Sequence, residues 1–238
     1  MSSKQSHFSR LVLMLFLFYC NSLKSQDCKN YYYMTNNAEI QMTLYDGNGA
    51  KSGLQQWKVS DVSKESGGFR STINSVFTNA KGEEIAKGKG VYRCSGGKLM
   101  ADMRMSVPQD QLKDAEVGNA FVKDAFIEYP EILSEGMSLP DAFIDMNVST
   151  SGIPSTTRFE MKNRKVVGKE KITSDAGSWE AYKITYEATI KIKMAGINIP
   201  MVMRTTEWFV PFFGVVKTET FSRKGKKQGS SLLTGMKS

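Results

Sequence analysis

Glu39-Ile40-Gln41-Met42-Thr43-Leu44-Tyr45-Asp46-Gly47-Asn48-Gly49 is the stretch from which the rest of the chain can be read. Ile40, Met42 and Leu44 alternate with Glu39, Gln41, Thr43 and Tyr45. That period of two puts successive side chains on opposite faces of a strand. The run stops at Asp46-Gly47-Asn48-Gly49, whose residue types favour a tight turn.

The same period continues outward. Trp57, Val59 and Asp61 are followed by Phe69, Ser71, Ile73, Ser75 and Phe77, up to a turn at Asn79-Ala80-Lys81-Gly82. Ile85 to Cys94 reads as the returning strand, with Gly88 and Gly90 marking a bend or bulge. After Ser95-Gly96-Gly97, the residues Leu99, Ala101, Met103, Met105 and Val107 form one face of the next strand. Pro108 to Leu133 breaks the pattern: Gln109 to Ala120 is only loosely helical and is expected to be a short helix or loop, and a strand passes through Phe126 and Ile127. Leu139-Pro140-Asp141 reopens the sheet, and Ala142, Ile144, Met146 and Val148 alternate with Phe143, Asp145 and Asn147. Further strands are expected over 156–163, 166–173, 179–194, 199–210, 215–221 and 231–233. With about ten or eleven strands at hairpin spacing and no helix to cover a sheet, the expected fold is all-β, a single antiparallel meander forming a barrel or strongly curved half-barrel.

The first 25 residues read differently. Lys4 and Arg10 precede the apolar run Leu11 to Tyr19, and Asn21-Ser22-Leu23-Lys24-Ser25 supplies small polar residues. This is the pattern of a secretory signal peptide, residues 1–25, cleaved after Ser25. The run is about half the roughly 20 residues a spanning helix needs, so no transmembrane span is expected after cleavage. A lipid anchor on Cys20 would require a small residue before it, and Tyr19 argues against one. The remaining 26–238 reads as one domain, exported to the periplasm or the cell exterior.

Of 238 residues, 40% are hydrophobic and 24% charged, which suits a chain that buries a core. Loss of Lys4, Arg10 and Lys24 from the 32 basic residues leaves 29 against 24 acidic ones, a mild +5. The only histidine, His7, leaves with the signal segment, which excludes Ser-His-Asp and Cys-His nucleophile systems, HExxH proteases and zinc sites built on histidine. Cys28 and Cys94 are then the only thiols, and in an oxidising compartment they are expected to form a disulfide tying the start of the exported chain to its body. A reactive Cys94 would need a cation such as Arg93 to activate it.

Two segments carry the most specific local pattern: Asp175-Ala176-Gly177-Ser178-Trp179-Glu180-Ala181-Tyr182-Lys183-Ile184, and Glu207-Trp208-Phe209-Val210-Pro211-Phe212-Phe213-Gly214-Val215-Val216-Lys217-Thr218-Glu219. With Cys28 and the Tyr92 to Gly97 segment, these residues make the chain resemble the TapB-like group of exported envelope proteins of unknown function. The resemblance implies a curved antiparallel sheet similar to the lipoprotein-carrier and lipoprotein-receptor (LolA/LolB-like) folds of the Gram-negative envelope. It brings no catalytic motif. Phe212-Phe213 departs from the glycine and small residue usual at that turn.

Candidate chemistry is sparse. Trp208, Phe209, Phe212 and Phe213 crowd a strand-to-strand corner, which reads either as an apolar mouth or as a corner folded into the core. Among the methionines, Met103, Met105, Met146, Met201 and Met203 fall in expected strands, where pliable thioethers suit a cavity for irregular apolar ligands or fill gaps in an ordinary core. Asp141 and Asp145 lie about 13 Å apart along a strand at ~3.3 Å per residue, too far for a glycosidase pair. Asp102 with Glu128 is the other candidate carboxylate pair. Asp46-Gly47-Asn48-Gly49 opens like a calcium loop but has Trp57 where the twelfth position needs Glu. No phosphate-binding or dinucleotide glycine motif is complete, so no cofactor is expected. Arg223-Lys224-Gly225-Lys226-Lys227 reads as a solvated hairpin tip, and export disfavours nucleic acid. The sequence reading is therefore a non-catalytic exported binding protein that takes a lipid or other amphiphile, against a structural module that binds an envelope protein partner.

Overall fold

The structure is a computed structural model that describes residues 28–106, 115–116, 126–150, 153–194 and 197–238. Residues 1–25, read above as a signal segment, lie outside the described residues, Cys20 among them, as do Val107 and all of the 109–120 stretch except Ala115 and Glu116.

Alternation dictates the architecture. The strands are β1 (Glu39–Asp46), β2 (Lys51–Glu65), β3 (Gly68–Asn79), β4 (Glu84–Ser95), β5 (Lys98–Asp102), β6 (Ala115–Glu116), β7 (Phe126–Tyr129), β8 (Ala142–Thr150), β9 (Ile153–Ser174), β10 (Gly177–Met194), β11 (Ile197–Val210), β12 (Gly214–Ser222) and β13 (Lys227–Lys237). They form one antiparallel sheet in the order β6-β8-β9-β10-β11-β12-β13-β1-β2-β3-β4-β5-β7, curled into a nearly closed barrel. The expected all-β meander is thus present, with one connection that local spacing does not show: β1 pairs with β13, from Glu39↔Lys237 to Asp46↔Gly229. The sheet's free edges are therefore β6 and β7, in the middle of the sequence where the alternation fails. Arg164 ties this seam, donating from Nη1 to the carbonyls of Glu128 and Pro140, both at 3.0 Å.

Several expected elements are corrected. The strands foreseen over 156–163 and 166–173 are one strand, β9, and β13 runs well beyond 231–233. In β9, Asn163 (φ 56°) and Arg164 together oppose only Tyr186 of β10, a bulge that shifts the alternation by one residue. Phe159 and Met161 are buried before the bulge, and Arg164 and Val166 are buried directly after it. β5 stops at Asp102, so Met103 and Met105 lie on a 3-10 turn, Met103–Ser106, rather than on a strand. Gly88 and Gly90 pair regularly with Ser75 and Ile73; the β4 irregularity falls at Ile85 instead. Gly90 serves close packing, because a Cβ there would lie 2.6 Å from Met105 Cγ and Sδ.

One barrel end is capped by the amino-terminal segment. Cys28 and Cys94 form the expected disulfide, with Cα atoms 5.6 Å apart. It holds the Tyr31-Tyr32-Tyr33 stretch against the β11–β12 corner. Tyr32 N donates to Phe212 O at 2.8 Å, and the Tyr31 ring packs on Phe212 and the Tyr32 ring on Phe213. Tyr33 packs inward on Tyr92 at 4.4 Å between ring centroids. Tyr31 Oη donates to Gly97 O at 2.9 Å, and burial pushes this hydroxyl up to about 12, which keeps the donor protonated. The opposite end carries the β1–β2, β3–β4 and β12–β13 turns. Asp46 Oδ1 accepts from the backbone N–H groups of Asn48 and Ala50 at 2.9 Å, so Asp46-Gly47-Asn48-Gly49 is a hairpin turn as read. The Arg223 to Lys226 tip likewise joins β12 to β13.

Candidate functional site

The interior of the barrel is not fully packed. Inward-facing residues leave a cavity of about 430 Å³, within the range of small-ligand sites. Its two walls differ in chemistry. Met42, Leu44, Trp57, Leu99, Met105 and Ile127, from β1 to β7, supply mainly apolar surface, interrupted by Gln55, Tyr92 and Tyr129. β11 to β13 supply Thr205, Thr218, Thr220 and Ser231. These hydroxyls pair among themselves, Thr218 Oγ1 with Ser231 Oγ at 2.7 Å and Thr205 Oγ1 with Thr220 Oγ1 at 3.4 Å. Alternation explains the split, because every second residue of β11, from Met203 through Thr205 and Glu207 to Phe209, faces the cavity.

Glu207 is the carboxylate on this lining, and it is buried at 3% exposure. Its Oε2 accepts from Tyr129 Oη at 3.2 Å. Its Oε1 lies 3.6 Å from Arg164 Nη2, has no hydrogen-bond partner, and belongs to a residue that lines the cavity. Burial raises the Glu207 pKa, opposed by the Arg164 charge and by the hydroxyls of Tyr129 and Tyr186. Burial, then the Glu207 charge, holds both tyrosine hydroxyls well above their ordinary value, so both stay protonated. The Tyr129 ring stacks on Phe209 with centroids 4.3 Å apart, and the Arg164 guanidinium carbon lies 5.0 Å from the Tyr129 ring centroid.

The residues singled out in the sequence fall in different places. Met105, Met203 and Phe209 line the cavity. Met103 and Met146 are buried in the core outside that lining, and Met201 is 41% exposed. Trp208 is buried on the outer face of β11, where Nε1 donates to Glu170 Oε2 at 2.7 Å and Lys217 and Lys183 cover the ring. Phe212 and Phe213 form the folded-back corner under the tyrosine cap. Asp102 and Glu128 do not form a working pair: Asp102 is bound by Arg104 and by the Val91 N–H, and Glu128 by Lys98 at 2.7 Å. Asp145 pairs with Arg158, and Asp141 accepts from Asn163 N.

Sequence reasoning missed Arg164, Tyr129 and Tyr186, and read Glu207 only as part of a motif. Glu207 had a usable signal, since it shares the alternating face of Met203 and Phe209. Arg164 had none, because its inward turn depends on the Asn163 bulge. Among the described residues, no group of three or more His, Cys, Asp or Glu is placed to hold a metal ion, and no helix is long and apolar enough to cross a membrane.

The chain is similar in structure to two solved proteins. A protein of Bacteroides fragilis described as exported, with a YmcC-like fold, superposes with a TM-score of 0.70 at 18% identity, over 86% of this chain and 97% of that one. A protein of Parabacteroides distasonis described as a lipoprotein superposes with a TM-score of 0.72 at 19% identity, over 87% and 98%. At these identities the likeness establishes the fold. No curated protein matches the sequence. The match that spans most of the barrel, residues 35–233, from before β1 into β13, places the chain in the DUF3108-like family.

Proposed function

We propose that the protein is an exported, non-catalytic binding protein of the bacterial envelope whose barrel interior holds an apolar or amphiphilic, lipid-like ligand. The observation that carries this reading is the cavity of about 430 Å³ with one apolar and one hydroxyl-bearing wall. Close-packed interiors leave few voids larger than a water molecule, so a space of this size is a feature to be explained. Met105 and Met203 suit it, because unbranched thioethers adapt to irregular acyl surface. Export is supported by the amino-terminal segment and by the descriptions of the two structural neighbours. The likeness to lipoprotein-carrier and receptor folds read from the TapB-like motifs points the same way. Solvent extraction of the protein secreted by its native host, followed by mass spectrometry of the extract, tests the reading. A stoichiometric amphiphile is expected. An empty extract, together with no saturable uptake of an environment-sensitive fluorescent acyl probe, overturns it.

A structural module that binds an envelope protein partner is the second reading, favoured by one observation. β12 pairs with β11 only from Met203↔Ser222 onward, so residues 197–202 project past it, with Ile197 63% and Met201 41% exposed. A photocrosslinker at position 197 that captures one defined envelope protein, with no lipid in the extract, would favour that reading.

A further inference from the structure

Exposure along the cavity lining shows where it opens. At the capped end Tyr33, Tyr92, Leu99 and Phe209 are buried; beside the β12–β13 turn Leu44, Met203 and Thr220 are half-buried and Gln228 is exposed. The inward face of β11 follows the same gradient, from Phe209 at 0% exposure through Glu207 and Thr205 to Met201 at 41% and Ile197 at 63%. Met201 pairs with Ile190, which lines the cavity, so the two share a face of the sheet. An apolar surface therefore runs from the interior out past the rim.

Charge marks the same rim. The β12–β13 turn begins at Ser222, opposite Met203, where β11 emerges. Its Arg223, Lys224 and Lys226 are exposed, as is Lys193, which lies opposite Asn198 near the far end of the projecting strands. Among the described residues none of these four cations forms an ion pair, whereas Lys191 is held by Glu160 and Lys227 by Glu219. Glu83 and Glu84 stand at the β3–β4 turn, separated from the tip by β1 and β2. Unpaired cations around exposed apolar residues complement anionic head groups over an acyl layer. A single apolar anchor holds a protein to a bilayer only marginally, and stable attachment takes a second signal such as a basic patch. This rim supplies both.

We propose that the open end of the barrel docks on the anionic surface of a lipid bilayer, with Ile197 and Met201 entering the acyl boundary and the β12–β13 tip meeting the head groups. Docked this way, the face that carries Met201, Ile190 and Met203 joins the bilayer to the cavity, and an apolar ligand passes along it without crossing water. The use of such docking rests on the cavity being a ligand site; the docking itself rests on the rim.

The test is flotation of the protein, recovered from its native host, with vesicles of phosphatidylcholine alone and of phosphatidylcholine with about 30% phosphatidylglycerol. Wild type and variants share one amino terminus, so differences between them report the open end. Wild type is expected to float with the anionic vesicles and to bind them more weakly at roughly 0.5 M salt. Arg223→Gln, Lys224→Gln and Lys226→Gln together weaken that binding on the order of a hundredfold and remove most of its salt dependence. Ile197→Ser with Met201→Ser weakens it about tenfold and leaves the salt dependence in place. No flotation with anionic vesicles, or flotation that neither set of substitutions weakens, overturns the docking and leaves the cavity reading standing. Capture of a defined protein at position 197 without vesicle binding also overturns it and assigns the surface to a partner. Failure of the fluorescent acyl probe with vesicle binding intact removes the cavity reading and leaves the docking. If either variant does not fold, an environment-sensitive dye decides. On Ile197→Cys its emission shifts to the blue with anionic vesicles, and on Ile132→Cys, an exposed position following Glu131 at the capped end, it does not. The same response at both positions, or at neither, overturns the proposal.

Discussion

Arg164 shows how a single residue can hold a barrel together and remain invisible in the sequence. Arg164 joins β9 to the carbonyls of Glu128 and Pro140 across the open seam and balances Glu207 within the interior. Removing one member of a buried ion pair leaves an uncompensated charge, so Arg164→Met is expected to lower the unfolding free energy by about 3–5 kcal/mol in urea titrations. Adding Glu207→Leu should recover the part due to charge and leave the cost of the two orphaned carbonyls, about 1–3 kcal/mol. If the double variant is no more stable than the single one, the charge-pair account fails. The pH dependence has a definite sign. Because burial raises the Glu207 pKa above its ordinary 4.5, the folded protein keeps that proton to higher pH than the unfolded chain does. This group therefore makes stability fall as pH climbs from about 4.5 through the folded pKa. Asp145, lowered by Arg158, and Glu170, lowered by Lys183 and Trp208, act oppositely, and their contribution is lost as the solution is acidified through their folded pKa values. Glu207→Gln should flatten the decline on the alkaline side and leave the acid limb in place, read from urea midpoints across pH 3 to 8 at about one-unit steps.

At the scale of elements, period-two alternation carried the reading far. Ser71, Ile73, Ser75 and Phe77 of β3 are all buried, and so are Ala142, Ile144 and Met146 of β8, as their spacing requires. What alternation could not give is where it breaks. The bulge at Asn163 looks in sequence like a strand end, since Lys162-Asn163-Arg164-Lys165 is a charged run that resembles a turn. The β1–β13 pairing joins residues nearly the whole chain apart, and no local signal marks it. The disulfide was legible because, with Cys20 read as part of a signal segment, Cys28 and Cys94 were the two cysteines left to pair. Its mechanical role is clear from the cap: Cys28 leads directly into the tyrosines that close the barrel end, and Gly214 lies so close that a Cβ there would meet Tyr33 Cε2 at 2.6 Å. Replacing both cysteines by serine should destabilise the fold by an amount on the order of 4 kcal/mol for a loop of this length in the chain-entropy model. Near-ultraviolet circular dichroism should show the tyrosine cap loosening before the sheet melts. Coincident loss of both signals at the wild-type temperature would contradict that role.

Over the whole molecule, the curved sheet has an outer face of charged pairs and an inner face that stops short of filling itself. The all-β class followed from composition and period, whereas enclosed volume depends on how thirteen strands close, a quantity no alternation pattern encodes. Three of the nine proposed lining residues, Met105, Met203 and Phe209, do reach the cavity. The rest sit in core, corner, outer face or solvent, because methionine and aromatic content marks buried surface without saying which surface. Ala188 faces the cavity from β10 and is buried, so Ala188→Phe would place a ring in the empty space. Native mass spectrometry of the protein and of this variant compares the two interiors directly. The wild-type protein is predicted to carry a non-covalent amphiphile and the filled variant to fly bare with its fold intact. A wild-type protein that is bare and takes up no added amphiphile, or a variant that retains the same adduct, would contradict a ligand site inside the barrel.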